Sequence, residues 1–211
     1  MRNSFYGNDA GISSLFKNKD TTSRTIAAAY MTGILPIKKY GTESALNDFQ
    51  EFTALESYNL AEYVGFMENE VRHLCDIHQV SFEGMQALYD GYMFEQINHV
   101  YNPYSVMSAI EMEEFDTYWN LSGTCLSLMN YIGMEFDGLK EAILELLAGE
   151  QVRVSTSTFL NDFVSFHNRD DVLTLLIHLG YLSYNVEERK TFIPNSEVKE
   201  AFEEAVRGLR W

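Results

Sequence analysis

Arg169-Asp-Asp-Val-Leu-Thr-Leu-Leu-Ile-His-Leu-Gly-Tyr-Leu-Ser-Tyr-Asn-Val-Glu-Glu-Arg-Lys-Thr-Phe-Ile-Pro-Asn-Ser196 is the stretch on which the reading of the fold turns. Asp170 and Asp171 stand in the first turn of a helix that reaches residue 179, where carboxylates meet the positive end of the helix dipole. Gly180 ends that helix. Residues 181–184 and 191–193 are apolar and aromatic, and they flank the charged run 186–190, so the spacing predicts a hairpin. A final amphipathic helix follows Asn195-Ser196, with Val198, Ala201, Phe202 and Val206 on its apolar face.

Helix, hairpin, helix is the order found in part of a winged helix. Upstream of it the pattern is again mostly helical. Residues 139–147 place Leu139, Ile143, Leu146 and Leu147 on one stripe, with Gly149 closing, and residues 153–158 read as extended. Asn102-Pro103 starts another helix, since proline suits the first turn, with Val106, Met107 and Ile110 as its face. Ser81 is an N-cap for a helix carrying Met85, Leu88 and Tyr89, which Asp90-Gly91 stops. Residues 66–77 form a helix with Val71, Leu74 and Cys75 on one side.

The N-terminal quarter reads differently. A short helix is expected over residues 12–17. Residues 24–33, rich in alanine and ending at Gly33, read as one buried strand, although alanine is a poor strand former. A lone strand cannot satisfy its own backbone, so it requires a partner from this chain or from a second copy, which makes a homodimer one expectation. Thr42 caps a helix expected over residues 43–52.

The charge is uneven. The chain carries 15 Lys and Arg against 31 Asp and Glu, a net of −16. Residues 1–39 hold six basic and two acidic side chains, residues 40–139 one basic (Arg72) and 17 acidic, and residues 140–211 eight basic and 12 acidic. The central hundred residues thus carry a net −16, a field that repels DNA, RNA and anionic membranes and steers toward basic partners. No apolar run reaches the roughly 18 residues of a membrane span. The N-terminus lacks an apolar signal core and the two cysteines form no framework, so the expectation is a cytoplasmic protein.

At Ala29-Tyr-Met-Thr-Gly-Ile-Leu-Pro-Ile-Lys-Lys-Tyr-Gly41 and Ser44-Ala-Leu-Asn47 the chain resembles the predicted-AAA-ATPase-like family, whose members commonly carry a PD-(D/E)XK nuclease-like domain. Phe66-Met-Glu-Asn-Glu-Val71, Tyr89-Asp-Gly-Tyr92, Tyr101-Asn-Pro-Tyr-Ser-Val106, Phe115-Asp-Thr-Tyr-Trp119, Phe136-Asp-Gly-Leu139, Arg169 to Tyr181 and Ile193-Pro-Asn195 follow in the family's order. The resemblance implies a mainly α fold with a small β component. It divides the chain into a residual AAA-type core segment (residues 1–58), a helical lid-like domain (59–150) and a winged-helix-like end (151–211). It makes Thr32 the candidate for a polar sensor residue, with Lys38 and Lys39 nearby, all vestigial without the phosphate loop they would serve.

That loop needs G-x-x-x-x-G-K-[ST], so that backbone amides wrap phosphates and the lysine meets the terminal ones. The nearest spacing, Gly133-Met-Glu-Phe-Asp-Gly138, is followed by Leu139 where lysine is required, and it carries carboxylates where phosphate would sit. It reads as a turn before a helix. In the family the phosphate loop and its magnesium-holding carboxylate lie upstream of residue 24, and the nuclease-like domain lies beyond the end of this chain. No ATP hydrolysis by this chain alone, no catalytic residue and no cofactor are therefore expected.

The remaining constellations have plainer readings. His73, Cys75 and His78 are metal-ligand types, but helical positions 73 and 75 point about 200° apart, and zinc needs about four converging ligands. No metal site is expected; Cys75 belongs to the core. Tyr89, Tyr92, Phe94, Tyr101, Tyr104, Phe115, Tyr118 and Trp119 lack the interleaved Lys or Arg of a base-stacking surface and read as core. The tail's helix over 172–179 has no basic side chain for a DNA groove, so direct nucleic-acid binding is not expected. Glu111, Glu113, Glu114 and Asp116 are either a solvated loop or an acidic patch for a basic partner. Three functions follow: a non-catalytic protein-binding or regulatory module; an acidic DNA-mimic inhibitor that fills the basic groove of a nucleic-acid enzyme, like an anti-CRISPR; or an ATPase fragment that needs a partner chain.

Overall fold

The computed structural model describes residues 27, 28, 30, 32, 33, 50–119, 124–160 and 165–209. The chain divides into two compact units, Met1–Glu51 and Phe52–Trp211. The second is mainly helical with two small antiparallel sheets. Among the described residues no helix is long and apolar enough to cross a membrane.

In the first unit, Ala27, Ala28, Tyr30, Thr32 and Gly33 are exposed and none lies in a strand, which corrects the expected buried strand at these positions. The alanines at the centre of this stretch give a strand little to bury, and alanine is a poor strand former. The helix expected over 12–17, and that over 43–52 up to residue 49, lie outside the described residues; residues 50–52 are irregular.

The second unit opens with a 3-10 helix, Tyr58–Tyr63, then β1 (Phe66–Met67) and α1 (Glu68–His78). The helix thus starts two residues later than its apolar pattern suggests, because Phe66 and Met67 pair with Tyr101 and Val100. The Glu70 carboxylate accepts the Met67 N–H at 2.8 Å, and Glu68 pairs with Arg72 one turn on. Left-handed Gln79 ends α1. Helix α2 (Phe82–Tyr89) begins on the Ser81 hydroxyl, which accepts from the Gly84 N–H.

Strands β2 (Tyr92–Phe94) and β3 (Ile97–Tyr101) form a two-residue hairpin, and the sheet order is β1-β3-β2. This hairpin has no sequence signal of the usual kind: its loop is Glu95-Gln96, with Glu95 itself in the left-handed region that glycine or asparagine normally supplies. Helix α3 (Pro103–Met112) follows with Asn102 as cap, and then α4 (Thr124–Ile132) and α5 (Leu139–Leu147).

Strand β4 (Val152–Arg153) is shorter than the extended run expected there, since Thr156–Thr158 turn into a 3-10 helix. Helix α6 (Arg169–His178) starts on Asn168, whose side chain accepts the Asp171 N–H. Strands β5 (Ser183–Asn185) and β6 (Lys190–Phe192) form the expected hairpin, and β4 adds to it in the order β4-β6-β5. Helix α7 (Ser196–Gly208), capped by Asn195, closes the unit.

Two hydrophobic clusters hold these elements. The larger runs from Tyr92 and Val100 through α4, α5 and α6 to Phe202 and Ala205 of α7. The smaller gathers Val71, Cys75, Met85, Tyr89, Tyr101, Val106 and Tyr118. Residues 171–177 of α6 are all buried, so this helix is enclosed on every side rather than amphipathic. The two sheets meet where the Met93 N–H donates to the Ser183 hydroxyl and the Tyr92 hydroxyl donates to the Gly180 carbonyl.

Candidate functional site

The acidic segment begins where α3 stops. Glu111 lies in its last turn, Glu113 is left-handed and ends it, and Glu114 and Asp116 lie in the irregular run beyond. All four side chains are exposed. Their backbone is fastened from beneath. The Tyr118 hydroxyl donates to the Glu114 carbonyl at 2.7 Å, and the Tyr89 hydroxyl donates to the Asp116 carbonyl at 2.8 Å. Asp116 also accepts the Thr117 N–H. Tyr89 is buried, and that burial, with Glu197 and Asp116 nearby, pushes its phenol upward, so it stays a neutral donor.

Below this loop sits a group that the sequence did not disclose. Glu197, in the first turn of α7, is 1% exposed. It accepts the Tyr118 N–H at 2.7 Å, the Trp119 N–H at 2.9 Å and the Ser105 hydroxyl at 2.8 Å. Burial pushes its carboxyl up from the ordinary range, these hydrogen bonds pull it down, and the charge of Asp116 raises it again. A helix-start carboxylate ordinarily signals no more than favourable interaction with the dipole; its three long-range donors come from tertiary contact alone.

The other expected residues are scattered. Thr32 belongs to the first unit and is exposed; Lys38 and Lys39 lie outside the described residues. Cys75 is buried, with its thiol pushed up chiefly by desolvation, while His73 and His78 are exposed. Among the described residues no group of three or more His, Cys, Asp or Glu side chains could hold a metal ion. Of the aromatics read as core, Tyr89, Tyr92, Tyr101 and Tyr118 are buried and Phe94 and Trp119 half-buried. Tyr104 and Phe115 correct that reading: Tyr104 is exposed at the start of α3 and Phe115 lies among the exposed acidic residues, covering Gly84 with its ring.

A second feature lies where the ends of α2, α5 and α7 converge. A cleft of about 410 Å³ is lined by Asp90, Leu146, Phe192, Pro194, Asn195 and Lys199, among others. Gly91 presses on Pro194 so closely that a Cβ would run into the Pro194 carbonyl oxygen, and its φ of +120° belongs to glycine. Asp90 Oδ2 meets His99 Nδ1 at 2.7 Å, which raises the imidazole above its usual value through hydrogen bond and charge. Asn195 Oδ1 accepts the Val198 N–H at 3.0 Å. The second polar atom of each side chain, Asp90 Oδ1 and Asn195 Nδ2, is buried without a hydrogen-bond partner.

No protein family, no curated protein and no solved structure matches the chain.

Proposed function

We propose that this chain is a non-catalytic protein-binding module that takes a basic partner on the surface formed by Glu111, Glu113, Glu114 and Asp116. The observation that carries the reading is the contrast within that segment. Its four carboxylates are exposed, while the backbone bearing them is tied down by two tyrosine hydroxyls and underlain by a buried carboxylate. Charges held in a fixed array lose less entropy on pairing than charges on a mobile loop, and an acidic array steers a basic partner in.

The module is cytoplasmic and derives from the lid and winged-helix part of an AAA-ATPase-like protein. Support for a winged-helix-like end comes from the strand order β4-β6-β5, in which the strand before α6 joins the hairpin after it. Enclosure of residues 171–177 speaks against DNA binding through α6, since a recognition helix must offer a face to the groove. Phosphate chemistry is not part of the proposal, and Thr32, Lys38 and Lys39 have no catalytic role in it.

The test is affinity capture in about 0.15 M salt, where the Debye length is near 8 Å. Wild type is compared with a variant carrying Glu111→Lys, Glu113→Lys, Glu114→Lys and Asp116→Lys. A basic protein held by wild type, released by raised salt and bound at least about tenfold more weakly by the variant is the expected result. If that partner is a nuclease, the module acts as an inhibitor in the manner of a DNA mimic. Equal recovery of a phosphate-loop protein by both forms would overturn the patch reading in favour of a divided ATPase. Mg-ATP titrated into the chain alone should give no binding signal.

A further inference from the structure

A second place for positive charge lies at the start of the second unit, and it shares no residue with the acidic segment. We infer that Phe52, Tyr58, Glu56 and Glu95 together receive the guanidinium group of an arginine side chain on a partner polypeptide. The rings of Phe52 and Tyr58 are both exposed, with centroids 6.2 Å apart and planes 80° apart, so two aromatic walls meet nearly at a right angle. The face of such a ring is negative and attracts a cation. Carboxylates stand beside the rings. The Tyr58 hydroxyl donates to Glu56 Oε2 at 3.4 Å, and the Tyr58 N–H donates to Glu95 Oε1 at 2.6 Å. Each carboxylate is tied to Tyr58 through one oxygen and has a second oxygen to offer a new donor.

The corner is shaped in advance. Thr53 closes the turn between the two rings: its N–H donates to the Glu56 carbonyl at 3.0 Å, and its hydroxyl accepts the Glu56 N–H at 3.1 Å. Tyr58 and Glu95 both sit in the left-handed region, at φ of 47° and 55°, a strained conformation that the surrounding structure has to hold. The chain builds the same chemistry once within itself. Arg72 stands 3.7 Å from the centroid of the Phe82 ring, while Glu68 pairs with its guanidinium at 2.7 Å. Phe52, Tyr58, Glu56 and Glu95 repeat that combination of ring and carboxylate, yet among the described residues no Lys or Arg forms an ion pair with Glu56 or Glu95. Arginine suits the corner better than other cations. Its planar group stacks on a ring while its N–H fork meets carboxylates, whereas a lysine ammonium holds its water more tightly. A quaternary ammonium has no N–H to donate.

The probe is the peptide N-acetyl-glycyl-arginyl-glycinamide, titrated into the ¹⁵N-labelled full chain while the backbone amide resonances are followed. The solution holds about 0.15 M salt, which screens the long-range pull of the net −16 charge. Saturable shifts centred on Phe52, Glu56, Tyr58 and Glu95 are expected, with a Kd on the order of 10 mM, weak because the rings stay partly in water. The citrulline peptide, equal in shape but uncharged, should bind at least about tenfold more weakly. Phe52→Leu, and separately Glu56→Gln with Glu95→Gln, should each weaken the arginine peptide at least about threefold while melting near the wild-type temperature. One removes a ring and the other the charges, so either decides the matter if the other is poorly folded. No saturable shift, equal binding of the citrulline peptide, or wild-type affinity in a folded variant would overturn the inference. Tighter binding of the trimethyl-lysine peptide, or of free arginine, would overturn the assignment to a polypeptide arginine. The fourfold Lys variant of the acidic segment should bind the arginine peptide within about twofold of wild type at this salt, so failure here and failure of the acidic-patch reading are told apart.

Discussion

Glu197 shows how one side chain joins parts of the chain that are far apart in sequence. Its carboxylate takes donors from Ser105 on α3 and from the backbone of Tyr118 and Trp119, 92, 79 and 78 residues away. Each of those donors is in or near the core, and removing their acceptor leaves them buried and unpaired. Replacing Glu197 by alanine should therefore lower stability by about 3 kcal/mol, the cost of stranding more than one buried polar group. Glu197→Gln should lose less, since one amide oxygen still accepts. Thermal or urea unfolding of the two variants measures this; equal, small losses in both would mean that water enters and replaces the carboxylate. The residue is legible in sequence only as an acidic first-turn position, identical in kind to Asp170 and Asp171.

At the level of elements, local signals did well where chemistry is local. Ser81, Asn102 and Asn195 were expected to begin helices, and each side chain accepts a backbone N–H in the first turn. The β5–β6 hairpin follows from two apolar runs around a charged loop. The β2–β3 hairpin escaped, because Glu95-Gln96 is not turn chemistry and Glu95 is held left-handed by the pairing of its flanking strands. Gly91, two residues before Met93, lets two links approach closely: the α2–β2 link lies there against Pro194 of the β6–α7 link, with no room for a Cβ. Gly91→Ala should cost at least about 2 kcal/mol, combining backbone strain at positive φ with a clash against main chain that cannot swing away. Chemical denaturation is the measurement, and a loss below about 0.5 kcal/mol, the usual size of a surface change, would show that the two links separate freely.

Over the whole molecule the dominant quantity is charge. A chain of net −16 repels itself when compact, and salt screens that repulsion over a Debye length that shrinks from about 30 Å at 0.01 M to about 10 Å at 0.1 M. The thermal midpoint should therefore rise as sodium chloride is increased across that interval, in contrast to a protein held by surface ion pairs. An unchanged or falling midpoint would mean that the exposed pairs Glu68–Arg72 and Glu188–Lys190 outweigh the repulsion. Sequence alone determined the helical character of the second unit, most of its helix starts, its final hairpin and the position of its acidic segment. Those features depend on neighbours within a turn or two, which the sequence lists in order. Only the tertiary structure decided that α6 is enclosed on every side, that Glu197 underlies the acidic loop, and that Asp90 and Asn195 meet at one cleft. Such outcomes depend on which distant surfaces share a core, and burial, not local spacing, sets which polar atoms go without water and so need a partner.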